Sequence, residues 1–140
     1  MTSEKRLIDM VDRISAIMAE IEERVLNTGE LSKLTARQLT YIEQVKKNPL
    51  ISFGELAKTL KISRPTTSVA VNRLIREGYI VKIEDREDKR KILLKLSEKG
   101  NYVSGKHDQA HKIIAKSIQS SLLNSEIEDL IRILGKIRIS

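Results

Sequence analysis

The stretch Ile62-Ser63-Arg64-Pro65-Thr66-Thr67-Ser68-Val69-Ala70-Val71-Asn72-Arg73-Leu74-Ile75-Arg76-Glu77-Gly78 decides how the rest of the chain is read. Ser63 predicts a helix N-cap, because its hydroxyl can accept from a free first-turn N–H. Pro65 follows just inside, where a missing N–H costs nothing. Gly78 stands where a helix ends in left-handed geometry. Thr67, Val71, Leu74 and Ile75 fall on one face at i, i+4, i+7 and i+8. The other face carries Arg64, Thr66, Val69, Asn72, Arg73 and Arg76, with one acid, Glu77, at the far end. A helix that only packs on a core needs the first face alone. The second suits a helix lying in a DNA groove or, equally, a solvated surface helix.

The flanking sequence separates these readings. Upstream, Ser52-Phe53-Gly54-Glu55 has capping-box spacing and opens a short helix through Leu60, with Phe53, Leu56, Ala57 and Leu60 buried. Lys61-Ile62 makes a tight turn, and two short helices so joined form a helix-turn-helix. Further upstream, Thr35-Ala36-Arg37-Gln38 is another capping box, opening a helix with Leu39, Ile42 and Val45 inward. Asn48-Pro49 stops it near Lys47. Downstream, Tyr79-Ile80-Val81-Lys82-Ile83 and Lys91-Ile92-Leu93-Leu94-Lys95-Leu96 read as two strands. Between them Glu84-Asp85-Arg86-Glu87-Asp88-Lys89-Arg90 is a fully charged hairpin tip, placed where a winged helix carries its wing.

At the N-terminus, Leu7, Val11, Ile14, Met18, Ile21 and Val25 alternate spacings of four and three, a heptad seam that Asn27-Thr28-Gly29 ends. Ser97 caps a long helix to about Ser120. Ser125 and Glu128 have capping-box spacing for a last helix with an Ile127, Leu130, Ile131, Leu134 and Ile137 stripe. The fold expected is mainly α: a winged helix-turn-helix over 35–96 and a helical dimerisation region over 1–34 and 97–140. It has about six helices plus a two-stranded wing. A symmetric homodimer whose first and last helices intertwine covers the apolar arms and presents two reading helices to related half-sites.

The 140 residues include 26 Lys and Arg against 19 Asp and Glu, a formal charge of +7 that favours an anionic partner, nucleic acid before membrane. With no cysteine, disulfides and thiol chemistry are excluded. No apolar run is long enough to span a bilayer, and Met-Thr-Ser-Glu-Lys lacks a signal-peptide core, so a cytoplasmic protein is expected. No catalytic Ser/His/Asp or Cys/His set, paired-acid pocket or glycine-rich phosphate loop is present. Neither an enzyme nor a cofactor is expected.

These residues resemble the MarR family of bacterial and archaeal transcription regulators over nearly the whole chain. The resemblance runs through Leu34-Thr35-Ala36-Arg37-Gln38, Glu55 to Thr66, Val71-Asn72-Arg73-Leu74, Gly78-Tyr79-Ile80 and the wing Asp85-Arg86-Glu87-Asp88-Lys89-Arg90. It closes on Leu94-Lys95-Leu96-Ser97-Glu98-Lys99-Gly100, where the family usually has Thr at the position of Ser97. The resemblance implies a homodimeric, sequence-specific regulator, a repressor in its expected mode, on a pseudo-palindromic operator. It puts Arg90 in the minor groove and gives Asp88 the role of steadying it by an ion pair. It also implies a small aromatic or amphipathic acid as effector, bound between the dimer helices and the winged domain.

On the reading helix Arg64, Thr66, Val69 and Arg73 are the candidates for base edges. Arg forks onto guanine, and a Val or Thr methyl touches the thymine methyl. Ser63, Thr67 or Ser68, Asn72, Arg76 and Lys89 are candidates for meeting phosphates or orienting the other contacts, with Pro65 and Arg86 alongside in the interface. His107 and His111, at i, i+4, are the only histidines. Zinc-sensing members of the family use two His on this helix with a first-helix carboxylate, a role open here to Glu22 or Glu23. The second-helix ligand positions correspond to Leu39 and Thr40, poor replacements, so structural or pocket-lining histidines are the preferred reading and a metal response the alternative. Less specific architectural DNA binding and a protein-binding winged helix are the other readings kept.

Overall fold

The computed structural model, which describes residues 2–25 and 33–139, has six helices and three short strands among those residues. They are α1 (Ser3–Val25), α2 (Ala36–Lys47), β1 (Ile51–Ser52), α3 (Phe53–Leu60), α4 (Arg64–Arg76), β2 (Ile80–Glu84), β3 (Ile92–Leu96), α5 (Glu98–Ser121) and α6 (Asn124–Leu134). The expected break at Asn27-Thr28-Gly29 lies outside the described residues. The chain divides into two compact units. One joins α1 to α6 and to α5 from Asp108 onward; the other runs from α2 to His107.

The winged unit is built as its caps dictate. Thr35 Oγ1 accepts from the Gln38 N–H at 3.1 Å, and Gln38 Oε1 accepts from the Thr35 N–H at 2.9 Å, a complete capping box. Its core is aliphatic apart from two tyrosines, with Tyr41, Ile42 and Val45 of α2 against Leu56, Val71, Leu74, Tyr79, Ile80 and Leu94, all buried. Leu39, expected inward, is only half-buried, and Tyr41 takes the deep position instead. The hairpin β2–β3 is antiparallel in register Ile80↔Leu96 to Glu84↔Ile92. A third strand escaped the sequence reading. Ile51 and Ser52 pair with Leu94 and Leu93, giving the order β1-β3-β2. Two residues carry no periodicity, so only the pairing reveals them.

Tyr79, Gly78 and the start of α5 form one knot. Ser97 donates its N–H to the Tyr79 carbonyl at 3.0 Å and its hydroxyl to the Gly78 carbonyl, and its Oγ accepts from the Gly100 N–H at 3.0 Å. Lys99 Nζ donates to the Glu77 carbonyl at 3.0 Å and stands 4.4 Å from the Tyr79 ring centroid. The Leu-Ser-x-x-Gly motif therefore fastens α5 to the end of α4.

In the helical unit the α1 stripe is covered only toward its C-terminal end. Ile21 is buried, whereas Leu7, Val11 and Ile14 are at least half exposed. The last helix starts earlier than its expected Ser125–Glu128 box. Asn124 is its first residue, and Glu126 accepts from the Leu123 N–H at 2.8 Å. A carboxylate reaching back to the backbone closes the helix here without any hydroxyl, which is why the Ser at 125 misled the reading.

Candidate nucleic-acid interface

The reading helix is α4. Ser63 Oγ accepts from the Thr66 N–H at 3.3 Å and donates to Thr66 Oγ1 at 2.8 Å, and Gly78 turns away at φ 87°. The preceding turn uses Lys61 in left-handed geometry (φ 56°), its N–H bonded to the Lys58 carbonyl at 3.2 Å. Thr67, Val71 and Leu74 are fully buried, which fixes the outward face. On that face Arg64, Pro65, Thr66, Arg73 and Arg76 are exposed, and Ser68 and Asn72 half-buried. Val69 is 72% exposed, the one large apolar side chain set among these polar and cationic groups.

Thr67 corrects the sequence reading, which placed it among the DNA-contacting residues. It is 0% exposed, on the inner stripe with Val71 and Leu74. Its Oγ1 is buried with no hydrogen-bond partner among the described residues. A residue four positions before a buried Val cannot share the outer face of the helix.

Arg73 is directed rather than loose. Its Nε donates to Glu77 Oε1 at 2.9 Å, and its side chain borders a cavity of about 530 Å³ between the first turn of α2 and α4. Thr35, Arg37, Gln38 and Tyr41 line one wall, and Pro65, Thr66, Val69, Ala70 and Arg73 the other. Sequence reasoning missed Arg37. The capping box puts it in a first turn, but only the packing of α2 beside α4 shows that this turn borders the outward face.

The wing tip is ordered by its own acids. Asp85 accepts from the Glu87 N–H at 3.0 Å, and Asp88 accepts from the Arg90 N–H at 3.0 Å and from Arg90 Nε at 3.4 Å. The Arg90 side chain is 94% exposed, so the ion pair itself is worth about 0–1 kcal/mol, and the backbone bond is the firmer constraint. Arg86 and Lys89 are exposed beside it. At the wing's base, Lys91 Nζ lies 3.6 Å from Glu55 Oε1 of α3. Ser52, the α3 N-cap, donates to the same carboxylate at 2.9 Å, which holds the Glu55 carboxyl below its ordinary range, Lys91 adding to the effect. The reading helix and the wing thus present seven of their cationic side chains, Arg64, Arg73, Arg76, Arg86, Lys89, Arg90 and Lys91, at the surface of one compact unit.

In the helical unit, Glu22 of α1 and His111 of α5 offer ligand atoms within 4.8 Å of one another. His107 stands one turn earlier in α5. Leu39 has no donor atom, and the Thr40 hydroxyl donates to the Ala36 carbonyl at 3.0 Å. No helix among the described residues is long and apolar enough to cross a membrane.

Residues 32–91 match the model of the MarR family. The uncharacterized HTH-type transcriptional regulator YybA of Bacillus subtilis (strain 168) is 32% identical over 98 residues, 70% of this chain. That match spans 61% of YybA, so this chain covers about three-fifths of that relative's length. Among solved structures, Streptococcus pneumoniae FabT in complex with DNA superposes with a TM-score of 0.78 at 23% identity, covering 95% of this chain and 93% of FabT. RV1404 from Mycobacterium tuberculosis gives 0.75 at 18% identity, covering 96% and 92%. At these identities the two structures establish the shared fold.

Proposed function

Because this chain belongs to the MarR family, we propose that it is a DNA-binding regulator of transcription acting as a homodimer on a pseudo-palindromic operator. The observation that carries this reading is the outward face of α4. A cap, a buried stripe and a glycine turn hold it rigidly, yet it exposes Val69 between Arg64, Thr66 and Arg73. An exposed Val among cations is of no use to a solvated face, whereas a thymine methyl between phosphates uses both. The wing adds Arg90, whose guanidinium suits a narrow, electronegative minor groove. The FabT structure holds DNA, which supports the same partner here.

The homodimer rests on the helical unit. Leu7, Ile8, Met10, Val11, Ile14 and Ile17 of α1, and Ile131 and Leu134 of α6, are all exposed. A second copy buries such a stripe against itself. Repression follows where the operator overlaps a promoter. A small aromatic or amphipathic acid that alters the spacing of the two reading helices would change operator affinity. A gel shift with the chain's own upstream region against competitor DNA tests the reading. The specific duplex should survive roughly 10³-fold more competitor than a scrambled one; equal competition contradicts it.

A second reading, a zinc-type response through Glu22, His107 and His111, is favoured by the approach of Glu22 to His111. It is the weaker one, since Leu39 and Thr40 supply no further ligand. Equilibrium dialysis against zinc decides it. Tight binding with DNA affinity that changes on chelation supports it, and no bound zinc removes it.

A further inference from the structure

A Cβ built on Gly54, in the first turn of α3, would stand 3.3 Å from Arg64 Nη2, 3.4 Å from its Cζ and 3.6 Å from its Nε. Cζ is nearer than Nε and only 0.1 Å farther than Nη2. An edge-on guanidinium would put Cζ behind both, so the group lies face-on over Gly54. Among the described residues no ion pair or hydrogen bond holds the Arg64 side chain, so its planar fork of N–H donors stays open while its face rests over Gly54. An Arg fork reads guanine only when its plane is aligned with the base edge. We propose that Gly54 is a positioning residue for DNA recognition: the absence of a side chain there sets the plane of the Arg64 guanidinium. The assignment rests on the proposal that α4 reads DNA.

Nothing in the backbone at position 54 asks for glycine. It is an interior first-turn residue of α3 with no left-handed geometry, and the three nearest atoms a Cβ there would meet all belong to the Arg64 side chain. A side chain is therefore compatible with the fold but not with the present seat of the guanidinium. A change at 54 acts through Arg64 and not through stability.

The test is a double-mutant cycle on the full chain, read by fluorescence anisotropy on a duplex that the wild type recovers from a random pool, and on that duplex with each base pair changed in turn. Gly54→Ala and Gly54→Gln should weaken binding progressively, by roughly threefold and tenfold, and relax discrimination at the positions where Arg64→Ala does. Thermal melts should not fall. In the Arg64→Ala background the Gly54 changes should have no effect. Equal losses with and without Arg64, or a Gly54 series with wild-type affinity and discrimination, overturn the assignment. So does an Arg64→Ala variant that binds as the wild type does. A wild type that recovers no preferred duplex instead overturns the DNA reading on which the assignment rests.

Discussion

The carbonyl oxygen of Tyr79 occupies the space that a Cβ on Gly100 would need. Leu96 Cβ crowds the same position at 3.3 Å. The carbonyl is also the acceptor for the Ser97 N–H, so it cannot move without breaking the knot that ties α5 to the turn after α4. Gly100→Ala should therefore destabilise the fold by about 3 kcal/mol, the upper part of the range for overpacking, because the obstacle is backbone. Urea unfolding at fixed protein concentration checks this; a midpoint within error of wild type would contradict it.

Thr67 offers the opposite experiment. Its hydroxyl is buried without a partner among the described residues, and Val has the same shape. Thr67→Val should raise stability by about 1 kcal/mol. It should also leave DNA affinity unchanged, because the side chain faces the core. Weakened binding with unchanged stability would return Thr67 to the interface.

Arg90 and Asp88 should separate by magnitude. Arg90→Ala should weaken operator binding by about 1–3 kcal/mol with no change in thermal stability. Asp88→Ala should cost less, since it loosens the tip but removes no cation; it frees the Arg90 N–H and Nε together. Anisotropy titrations at one salt concentration measure both. An Asp88→Ala loss exceeding that of Arg90→Ala would contradict the supporting role.

The Glu55 carboxyl sits below its ordinary value of 4.5, chiefly through the Ser52 hydroxyl and then Lys91, with slight burial opposing. A lowered folded value means the unfolded chain binds more protons in this window, so stability rises with pH there. The contribution is complete above about pH 4.5 and is lost as pH falls through the folded value. Melting temperatures of wild type and Glu55→Gln, followed from about pH 6 to pH 3, should converge at the acid end. Curves that stay parallel would assign Glu55 no part in acid sensitivity.

Lys61 holds a left-handed conformation at the end of α3. For an ordinary L-residue that geometry costs about 1–2 kcal/mol, partly offset because glycine makes the unfolded chain more flexible. Lys61→Gly should stabilise by about 0.5–1 kcal/mol, measured by urea unfolding. A destabilised variant would mean that the Lys side chain itself supports the turn.

What the sequence made legible follows from which features are local. Caps at Thr35, Ser52 and Ser63, the left-handed Gly78 and the change of period after it are written in adjacent residues, and the winged helix-turn-helix followed from them. β1 was missed because its evidence is a partner distant in sequence, Leu94 for Ile51 and Leu93 for Ser52. The start of α6 was misplaced because Glu126 caps it through the backbone. At the interface, the outward positions Arg64 and Val69 followed from helix periodicity, as did the inward Thr67 once its stripe with Val71 was weighed above its hydroxyl. The seat of Arg64 over Gly54 and the bordering of α4 by Arg37 were not legible, since both depend on how two helices pack.

Selection of bound duplexes from random DNA by the full chain shows whether α4 and the wing read a two-fold operator. One enriched sequence should emerge, its halves related by a two-fold axis and centred about one helical turn apart. That sequence should bind roughly 10³-fold or more tighter than the unselected pool. A pool that stays random after repeated selection, bound with the same affinity throughout, would contradict it.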